Sequence, residues 1–588
     1  MDGTYVKDKF VGILHAVGGF GNFQRRLVAL TFIPNMMSAF FMVADTFVFA
    51  AQKAYCNTSW ILTVGPNLSE AEQLNLTLPR EPNGSFLTCL QYSPVDWDLD
   101  SITQFGLNHT EICYNGWIYP ESKKRLVTEE FDLVCGQEPP RVLVLAVYMA
   151  GLLLGSITFG LLCDRLGRYC TSLLSLLGLL VFGFGTAFVN SLNVYLFFRF
   201  GACQAVAGYT ISSLSLITEW LVSEHRVRVV ILSHCCFAVG LLFLSALAYS
   251  LPHWRLLFLV GGVPAFSFIP YIWILPESPR WLLLRGKVEE AKQVLSYAAS
   301  LNKQIIPFSM LRKLQLPNKQ VTKTSVLDLC SNRYICQVIL VMSIIWFTIS
   351  YSYLTLNLKV GDFGLNPYAR LIVSSLLEVP VRLCCILLLE LIGRKWTLAI
   401  TLLFGSLMCL LSLLISQELK FMVLSIILLG EVSLANSVTL VFNYTAELLP
   451  TTLRATGLGV LSLPLMIGAV LALMALLVRQ RLALLPILLS FSLASLAMYL
   501  CCLLPELQDG LFSDKEHVPE LLSLQKDINL ESCVDPANVL TEDSSSEDVS
   551  EEAAKNAILN ARPLKVRPEA FSTLPKQPID KAGNAPNN

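Results

Sequence analysis

The sequence predicts an all-α membrane protein. Twelve transmembrane helices form two six-helix halves, with one large glycosylated extracellular loop between the first two helices. Three observations predict this. Of the 588 residues, 54% are hydrophobic and 15% are charged, whereas a soluble domain carries about 25% charge. That much apolar surface exceeds a single soluble core, which stops growing near about 250–300 residues. Apolar stretches long enough to cross a bilayer, about 20 residues each, recur twelve times. Five Asn-x-Ser/Thr sequons, at Asn57, Asn67, Asn75, Asn83 and Asn108, crowd into one polar stretch, 50–141. Such a cluster makes sense only outside the cell, because glycosylation acts in the lumenal compartment. The net charge is −1 and no long basic run appears. The expected partner is therefore the lipid bilayer, and nucleic acid is excluded.

The elements follow in order. Residues 1–26 carry Lys7, Lys9, Arg25 and Arg26 beside the first span, which places them in the cytoplasm. No cleavable signal peptide is visible. Spans are expected near 27–49, 142–163, 171–190, 194–217, 229–251 and 256–275, which make the first half, 27–275. A central cytoplasmic segment, 276–334, has helical periodicity from Val288 to Leu301. Spans near 335–356, 368–389, 396–415, 421–446, 457–478 and 482–504 make the second half, 335–504. Twelve is even, so both termini lie in the cytoplasm. Arg165, Arg168, Arg226, Arg228, Arg394, Lys395 and Arg454 then fall inside, and only Arg479 and Arg481 fall outside. The tail, 505–588, is polar and acidic around Glu542–Asp548, a composition that predicts disorder.

Seventeen cysteines are scattered along the chain. Cys56, Cys89, Cys113 and Cys135 belong to the sequon loop, and an even number in an oxidising compartment implies two disulfides. Three connectivities are open. The remaining cysteines are read as reduced, and the pairs Cys235-Cys236, Cys384-Cys385 and Cys501-Cys502 as small packed hydrophobes.

Charged motifs recur at the cytoplasmic helix ends. Asp164-Arg-Leu-Gly167-Arg168 follows the second span, and Glu390-Leu-Ile-Gly393-Arg394 follows the eighth. The same acidic-x-x-Gly-Arg turn at equivalent places indicates two halves related by duplication. Gly167 permits a tight turn. Asp164 and Arg168 are suited to pair with each other and with helix ends, as a latch that breaks when the halves rock. The plainer reading is that Arg165 and Arg168 only mark topology. Glu219 ends the fourth span, and Glu447 with Arg454 links the tenth and eleventh. Glu219 and Glu447 are read as gate carboxylates for Arg168 and Arg394 or their neighbours. Pro276-Glu-Ser-Pro-Arg-Trp-Leu282 stops the sixth span.

Further marks are Gly18-Gly-Phe-Gly21 with Phe23-Gln24, Phe131-Asp-Leu-Val-Cys135, Thr218-Glu-Trp220 and Thr445-Ala-Glu-Leu-Leu-Pro450. Together these motifs resemble the major facilitator superfamily. More narrowly they resemble its organic cation, anion and zwitterion transporters, solute carrier family 22, over about residues 10–506. Val360–Leu365, Gly393–Trp396 and Ser69–Leu74 look like the organic-anion and nicotinate branch. The resemblance implies a major facilitator fold and a plasma-membrane carrier that moves small organic solutes by alternating access.

Ionisable groups inside a span cost a few kcal/mol each and usually face a cavity. Glu378 and Arg382 lie four residues apart on the eighth span, so they share a face. Glu431 lies on the tenth span, and Asp45 lies near the outer end of the first, where solvent can hydrate it. Asn35, Tyr351 and Tyr353 add hydrogen-bonding and aromatic surface. By the resemblance, Arg382 stands where anion transporters place a cavity lysine. Tyr353 matches the first of two paired aromatics, the second being Leu354 here. Glu431 stands where relatives carry Lys or Arg. Met466 stands where anion carriers have Arg and cation carriers have Asp. An Arg382 site neutralised by Glu431 or Glu378 favours neutral, zwitterionic or weakly anionic planar organics, of the riboflavin or nicotinate type. The competing readings are a structural ion pair joining spans eight and ten, and a simple anion site.

No nucleophile–base set, phosphate loop or metal-ligand spacing is present, so an enzyme, a cofactor and a bound metal are not expected. His234 in the fifth span is read as a packed polar residue, and Asn443, a sequon inside the tenth span, as unglycosylated. Uniport, exchange and symport with an ion all fit. The alternative function is a non-transporting receptor or scaffold with the same fold.

Overall fold

Lipid offers no hydrogen bonds, so an apolar run of this length must satisfy its backbone within itself and folds as a helix. A computed structural model describes residues 10–49, 54–81, 84–119, 125–135, 141–307, 310–311, 333–361, 363, 366–415, 419–479 and 484–504. Among them twelve helices are long and apolar enough to cross a membrane. They are α1 Asn22–Val48, α2 Leu143–Leu166, α3 Arg168–Phe188, α4 Leu192–Trp220, α5 Glu224–Ser250 and α6 Trp254–Ile274 in the first half. The second half holds α7 Arg333–Val360, α8 Pro367–Ile392, α9 Arg394–Leu414, α10 Lys420–Leu448, α11 Arg454–Ala475 and α12 Leu485–Leu503. α1 begins before residue 27, because Asn22–Leu30 is an amphipathic first segment that carries Arg25 and Arg26 on its exposed side. The expected disordered tail lies outside the described residues, as do Lys7, Lys9 and Arg481.

Each half has its own apolar core. The first gathers Phe40, Phe41, Tyr195, Trp254 and Phe258. The second gathers Met342, Trp346, Leu434, Leu440 and Tyr444, and it reaches across to Cys163 and Ile211. The halves meet along two helix pairs, α2 with α11 and α5 with α8. Apolar side chains gain nothing by leaving lipid for another helix, so close backbone approach does the associating. Gly160 allows it on α2, where an added Cβ would sit 2.7 Å from the Ala455 carbonyl oxygen. Gly459 allows it on α11, where a Cβ would collide with the Ser156 carbonyl.

The sequon loop is a small domain on one face of the bundle. Tyr55–Cys56 pairs antiparallel with Trp117–Ile118, and Leu90–Tyr92 pairs with Thr110–Ile112. Of the three open connectivities the structure has Cys56–Cys113 and Cys89–Cys135. Asn67, Asn75 and Asn108 are exposed, Asn57 is half-buried, and Asn83 lies outside the described residues. Asn443 is buried in α10. The end of the loop docks on the α5–α6 turn. The Arg125 N–H donates to the Pro252 carbonyl at 2.8 Å, and Glu130 takes Arg255 at 2.5 Å and the Trp254 indole at 2.7 Å. Burial opposes the Glu130 charge, but the hydrogen bonds from Arg255 and Trp254 outweigh it and hold its carboxyl below the ordinary value.

At the opposite, far face, Val288–Leu301 is helical as its periodicity predicts. It packs with helical residues 10–16 through Ile13, Val17, Leu295 and Ala298. Asn302 ties the two together. Its Nδ2 donates to the Val17 carbonyl at 2.8 Å and to Gln24 Oε1 at 2.9 Å, and its Oδ1 accepts from the Phe23 N–H at 2.7 Å. A Cβ on Gly21 would collide with the Asn302 side chain. That approach, with Gly18 at φ +109° and Gly19 at +46°, explains the glycine-rich motif ahead of α1.

Gly459→Leu is expected to part α2 from α11 at an overpacking cost of roughly 1–3 kcal/mol. Cys163, fully buried beside this contact, should then react faster with maleimide in peptide-resolved labelling. An unchanged rate in a folded variant would contradict the close-contact account.

Candidate functional site

The far face joins the two halves through buried charge. The α2–α3 turn pivots on Gly167, at φ +105°, and the α8–α9 turn on Gly393, at φ +91°. Arg168, at the start of α3, takes Asp164 at 3.1 Å and Glu219 at 2.8 Å, and it donates to the Thr451 carbonyl of the other half at 2.9 Å. Asp164 Oδ2 accepts from the Thr456 N–H and hydroxyl, both at 2.8 Å. A carboxylate of the first half therefore caps the start of α11, where unpaired N–H groups and the helix dipole favour negative charge. Arg454 stands 3.7 Å from Glu219. On the surface, Arg228 of α5 pairs with Glu390 of α8 at 2.6 Å. Arg394 pairs with Glu447 at 2.8 Å within the second half. The two turns are thus not copies in use. Asp164 bridges the halves beside its own arginine, whereas Glu390 is drawn off its turn to Arg228.

Glu277 braces this latch. Its Oε1 accepts from the N–H groups of Arg168 (2.9 Å), Tyr169 (3.2 Å) and Ser278 (2.8 Å), which caps α3. A Cβ on Gly167 would strike the same carboxylate. The Trp220 indole donates to the Glu277 carbonyl at 3.2 Å, and Trp281 and Arg285 donate to the Asp164 carbonyl at 3.0 and 2.9 Å. Burial raises the Glu277 carboxyl to about 7, and the three N–H groups and Arg168 restrain that rise.

The centre holds four charges. Arg382 pairs with Glu378 one turn away at 3.0 Å, and it donates to the His234 carbonyl of α5 at 2.6 Å. Glu431 accepts from Asn357 Nδ2 at 2.8 Å, and Arg370 donates to the Asn357 carbonyl at 2.7 Å. Tyr353 lies within electrostatic reach of Glu431, Glu378, Arg370 and Arg382. Of the two carboxylates expected to neutralise Arg382, Glu378 makes the ion pair. Glu378 sits at helical spacing on the same helix and claims the guanidinium, while Glu431 belongs with Asn357 and Arg370. Glu431, Glu378 and Arg382 are 3%, 5% and 6% exposed, so all three are buried.

Other expected residues lie elsewhere. Tyr351 is buried toward α12, its hydroxyl on the Pro486 carbonyl at 3.3 Å, and acts in packing. Met466 packs against the core of the first half, and Asn35 is half-buried on α1. Asp45 is not a solvated residue. Arg199 of α4 is buried and requires a counter-charge, and it holds Asp45 at 2.9 Å with help from the Tyr195 hydroxyl at 2.6 Å. Arg199, set among phenylalanines in an apolar span, is the available sequence signal for that pair. Arg370 sits near the end of its span, where an arginine reads as interfacial.

The loop face closes with aromatic rings. Tyr368, at the start of α8, stacks on Phe47 of α1 at 4.8 Å and meets Tyr249 of α5 edge-on at 5.9 Å. Nothing in the spacing of these three residues marks them as a set.

Residues 142–473 match the family model described as Major Facilitator Superfamily. Solute carrier family 22 member 14 of Homo sapiens is 56% identical over 93% of this chain and 92% of its own length. The Mus musculus member 14 is 50% identical over 96% and 89%. Solute carrier family 22 member 13 of Homo sapiens is 37% identical over 85% and 91%. The solved structure of the proton:xylose symporter XylE bound to 6-bromo-6-deoxy-D-glucose superposes with a TM-score of 0.55. It covers 82% of this chain and 96% of its own, at 14% identity, a likeness of fold alone.

Glu277 generates a pH prediction. A carboxyl raised from 4.5 to about 7 contributes its stability fully below 4.5 and loses it as pH rises through 7. Glu277→Gln should therefore match the native protein in thermal stability at pH about 4.5 and gain on it steadily as pH rises to 7, by up to about 3 kcal/mol at pH about 8. An equal offset across that range would remove the burial account.

Proposed function

The chain belongs to the major facilitator superfamily and, within it, to solute carrier family 22, a membrane transporter of organic solutes, and we propose that it carries them across the plasma membrane by alternating access. The sequons and disulfides support a loop face on the outside. The arginine-rich turns support a cytoplasmic far face, with both termini on that side. The observation that carries the reading is one arrangement: a four-charge centre buried between a far-face ion network and a loop-face aromatic contact, each made across the two halves.

In this reading the structure is an occluded stage. Opening inward breaks the contacts Arg168–Thr451, Asp164–Thr456, Arg454–Glu219 and Arg228–Glu390. The pairs Arg168–Glu219 and Arg168–Asp164 travel together within the first half, and Arg394–Glu447 within the second. Opening outward separates Tyr368 from Phe47 and Tyr249. Asp164, Arg168, Glu219, Glu390 and Arg454 act as the inner gate, and Arg394 and Glu447 steady the α10–α11 turn it closes on.

The centre sets what is carried. Two arginines and two carboxylates balance, so neither a strong anion nor a strong cation finds an excess of opposite charge. Tyr353 offers an aromatic wall. The substrates are neutral, zwitterionic or weakly anionic planar organics, such as vitamin-like heterocycles of the riboflavin or nicotinate type.

The test is uptake of labelled riboflavin, nicotinate, urate, carnitine and a quaternary amine by cells expressing the chain, with surface expression measured. At least one should enter saturably, and Arg382→Ala should abolish that uptake while still reaching the surface. Normal uptake by Arg382→Ala would sink the central site. No uptake of any member at good surface expression would favour a non-transporting receptor or scaffold.

A further inference from the structure

The far face holds more positive charge than its carboxylates answer. Arg226 lies in the first turn of α5, Arg280 in the short helix Pro279–Leu284 after α6, and Arg454 in the first turn of α11. The three lie within electrostatic reach of one another, and Glu219 is the carboxylate they share. Arg168 already holds Glu219 at 2.8 Å, and Arg454 stands off at 3.7 Å. Arg454 is 3% exposed, and its Nε has no partner among the described residues. Arg280 has no ion pair or hydrogen bond among the described residues, and its guanidinium lies over the Phe10 ring at 4.9 Å. Arg226 spends its Nε on the Leu221 carbonyl at 2.8 Å. Arg226 and Arg280 are only half-buried, so a ligand can reach them. Arg168, Arg226, Arg280 and Arg454 stand against Asp164 and Glu219, an excess of two positive charges. Glu277 is spent on the N–H groups that start α3. Two of the unanswered cations also sit at the positive ends of α5 and α11, where the helix dipole opposes them.

We propose that Arg226, Arg280 and Arg454 form a site for a phosphomonoester, which bridges the two halves and holds the far face closed. The ligand class follows from the donors. A guanidinium fork matches phosphate bidentately. A phosphomonoester brings nearly two negative charges near neutral pH and three acceptor oxygens, enough to answer three arginines and cancel the excess. A monocarboxylate brings one charge and two oxygens, and leaves an arginine unanswered. Arg226 and Arg280 belong to the first half and Arg454 to the second. Opening the far face therefore draws one guanidinium away from the other two. The anion binds the closed arrangement better, and it shifts the population toward that arrangement by the difference in affinity. The site lies apart from the central charges, and its test on purified protein does not depend on what the chain carries.

A soluble metabolite and a lipid headgroup present the same group, so the experiment uses one probe of each kind. Glycerol 3-phosphate is the soluble probe. Phosphatidic acid in phosphatidylcholine vesicles carries the same phosphate on a lipid. The purified full chain, in detergent for the first and reconstituted for the second, is followed by thermal stability and by maleimide labelling of Cys163, which is buried beside the α2–α11 contact. At least one probe should raise stability and slow Cys163 labelling, whereas glycerol and phosphatidylcholine alone do neither. A response to glycerol 3-phosphate assigns a soluble ligand, and a response to phosphatidic acid alone assigns a lipid headgroup. Either response should fade as salt screens the charges. Arg280→Gln breaks no ion pair, so without phosphate it should be as stable as the native protein, yet it should need about tenfold more ligand or worse. Arg280→Lys, which keeps the charge, should retain part of the response. Should Arg280→Gln prove unstable, Arg226→Gln decides by the same comparison. No response to either probe overturns the proposal, as does a full response in both Arg280→Gln and Arg226→Gln. Faster Cys163 labelling in the presence of a probe overturns it too, because the anion would then favour an open far face.

Discussion

Glu219 is the residue on which closure of the far face depends. One oxygen takes Arg168 at 2.8 Å and faces Arg454 at 3.7 Å, so one carboxylate answers guanidiniums from both halves. Buried ions cost several kcal/mol apiece unless partners are in place. Without Glu219, Arg168 would keep Asp164 as its carboxylate partner, and Asp164 already caps Thr456 of α11. The rest of the far face serves that geometry. Gly167 makes room for Glu277, Glu277 caps α3 and so places Arg168, and Trp220 ties the end of α4 to the Glu277 carbonyl.

The two faces close by different physics. The far face uses ions and capped helix ends, and the loop face uses the rings of Phe47, Tyr368 and Tyr249. An aromatic pair is worth about 0.5–1.5 kcal/mol beyond its buried area. Stranding a buried ion costs several times that. The loop face is thus held by weaker contacts than the far face. The Cys89–Cys135 bridge and the Glu130–Arg255 pair seat the sequon domain on the α5–α6 turn. The loop therefore braces the first half beside the aromatic contact.

The fold was legible because membrane helices announce themselves by apolar length, and the twelve spans fall within a few residues of expectation. The charged turns were legible because Asp164, Gly167 and Arg168 recur in form as Glu390, Gly393 and Arg394, but their different partners were not. Partners across helices were harder to read. Helical spacing shows that Glu378 and Arg382 share a face, but not that Glu378 outcompetes Glu431 for the guanidinium. Tyr351 and Tyr353 sit two apart on α7 and so point to different neighbours, one into α12 and one at the charged centre. Asp45 looked solvated because its counter-ion, Arg199, lies far away in sequence. Tyr368 carried no signal, since its role comes only from α8 starting between α1 and α5. Pattern within an element is local information, whereas partnership depends on how the helices are arranged around one another.

The halves also divide the work of holding charge. In the first half Asp45 is saturated by Arg199 and Tyr195, so that pair fastens α1 to α4 and leaves its carboxylate nothing to offer a solute. In the second half the carboxylate of Glu431 keeps one oxygen unmet, and Arg382 keeps its Nε unmet. The first half contributes only the His234 carbonyl to Arg382. That cross-half bond lies between α5 and α8, the same pair joined at the surface by Arg228 and Glu390. One helix pair thus carries both a central hydrogen bond and a far-face ion pair between the halves.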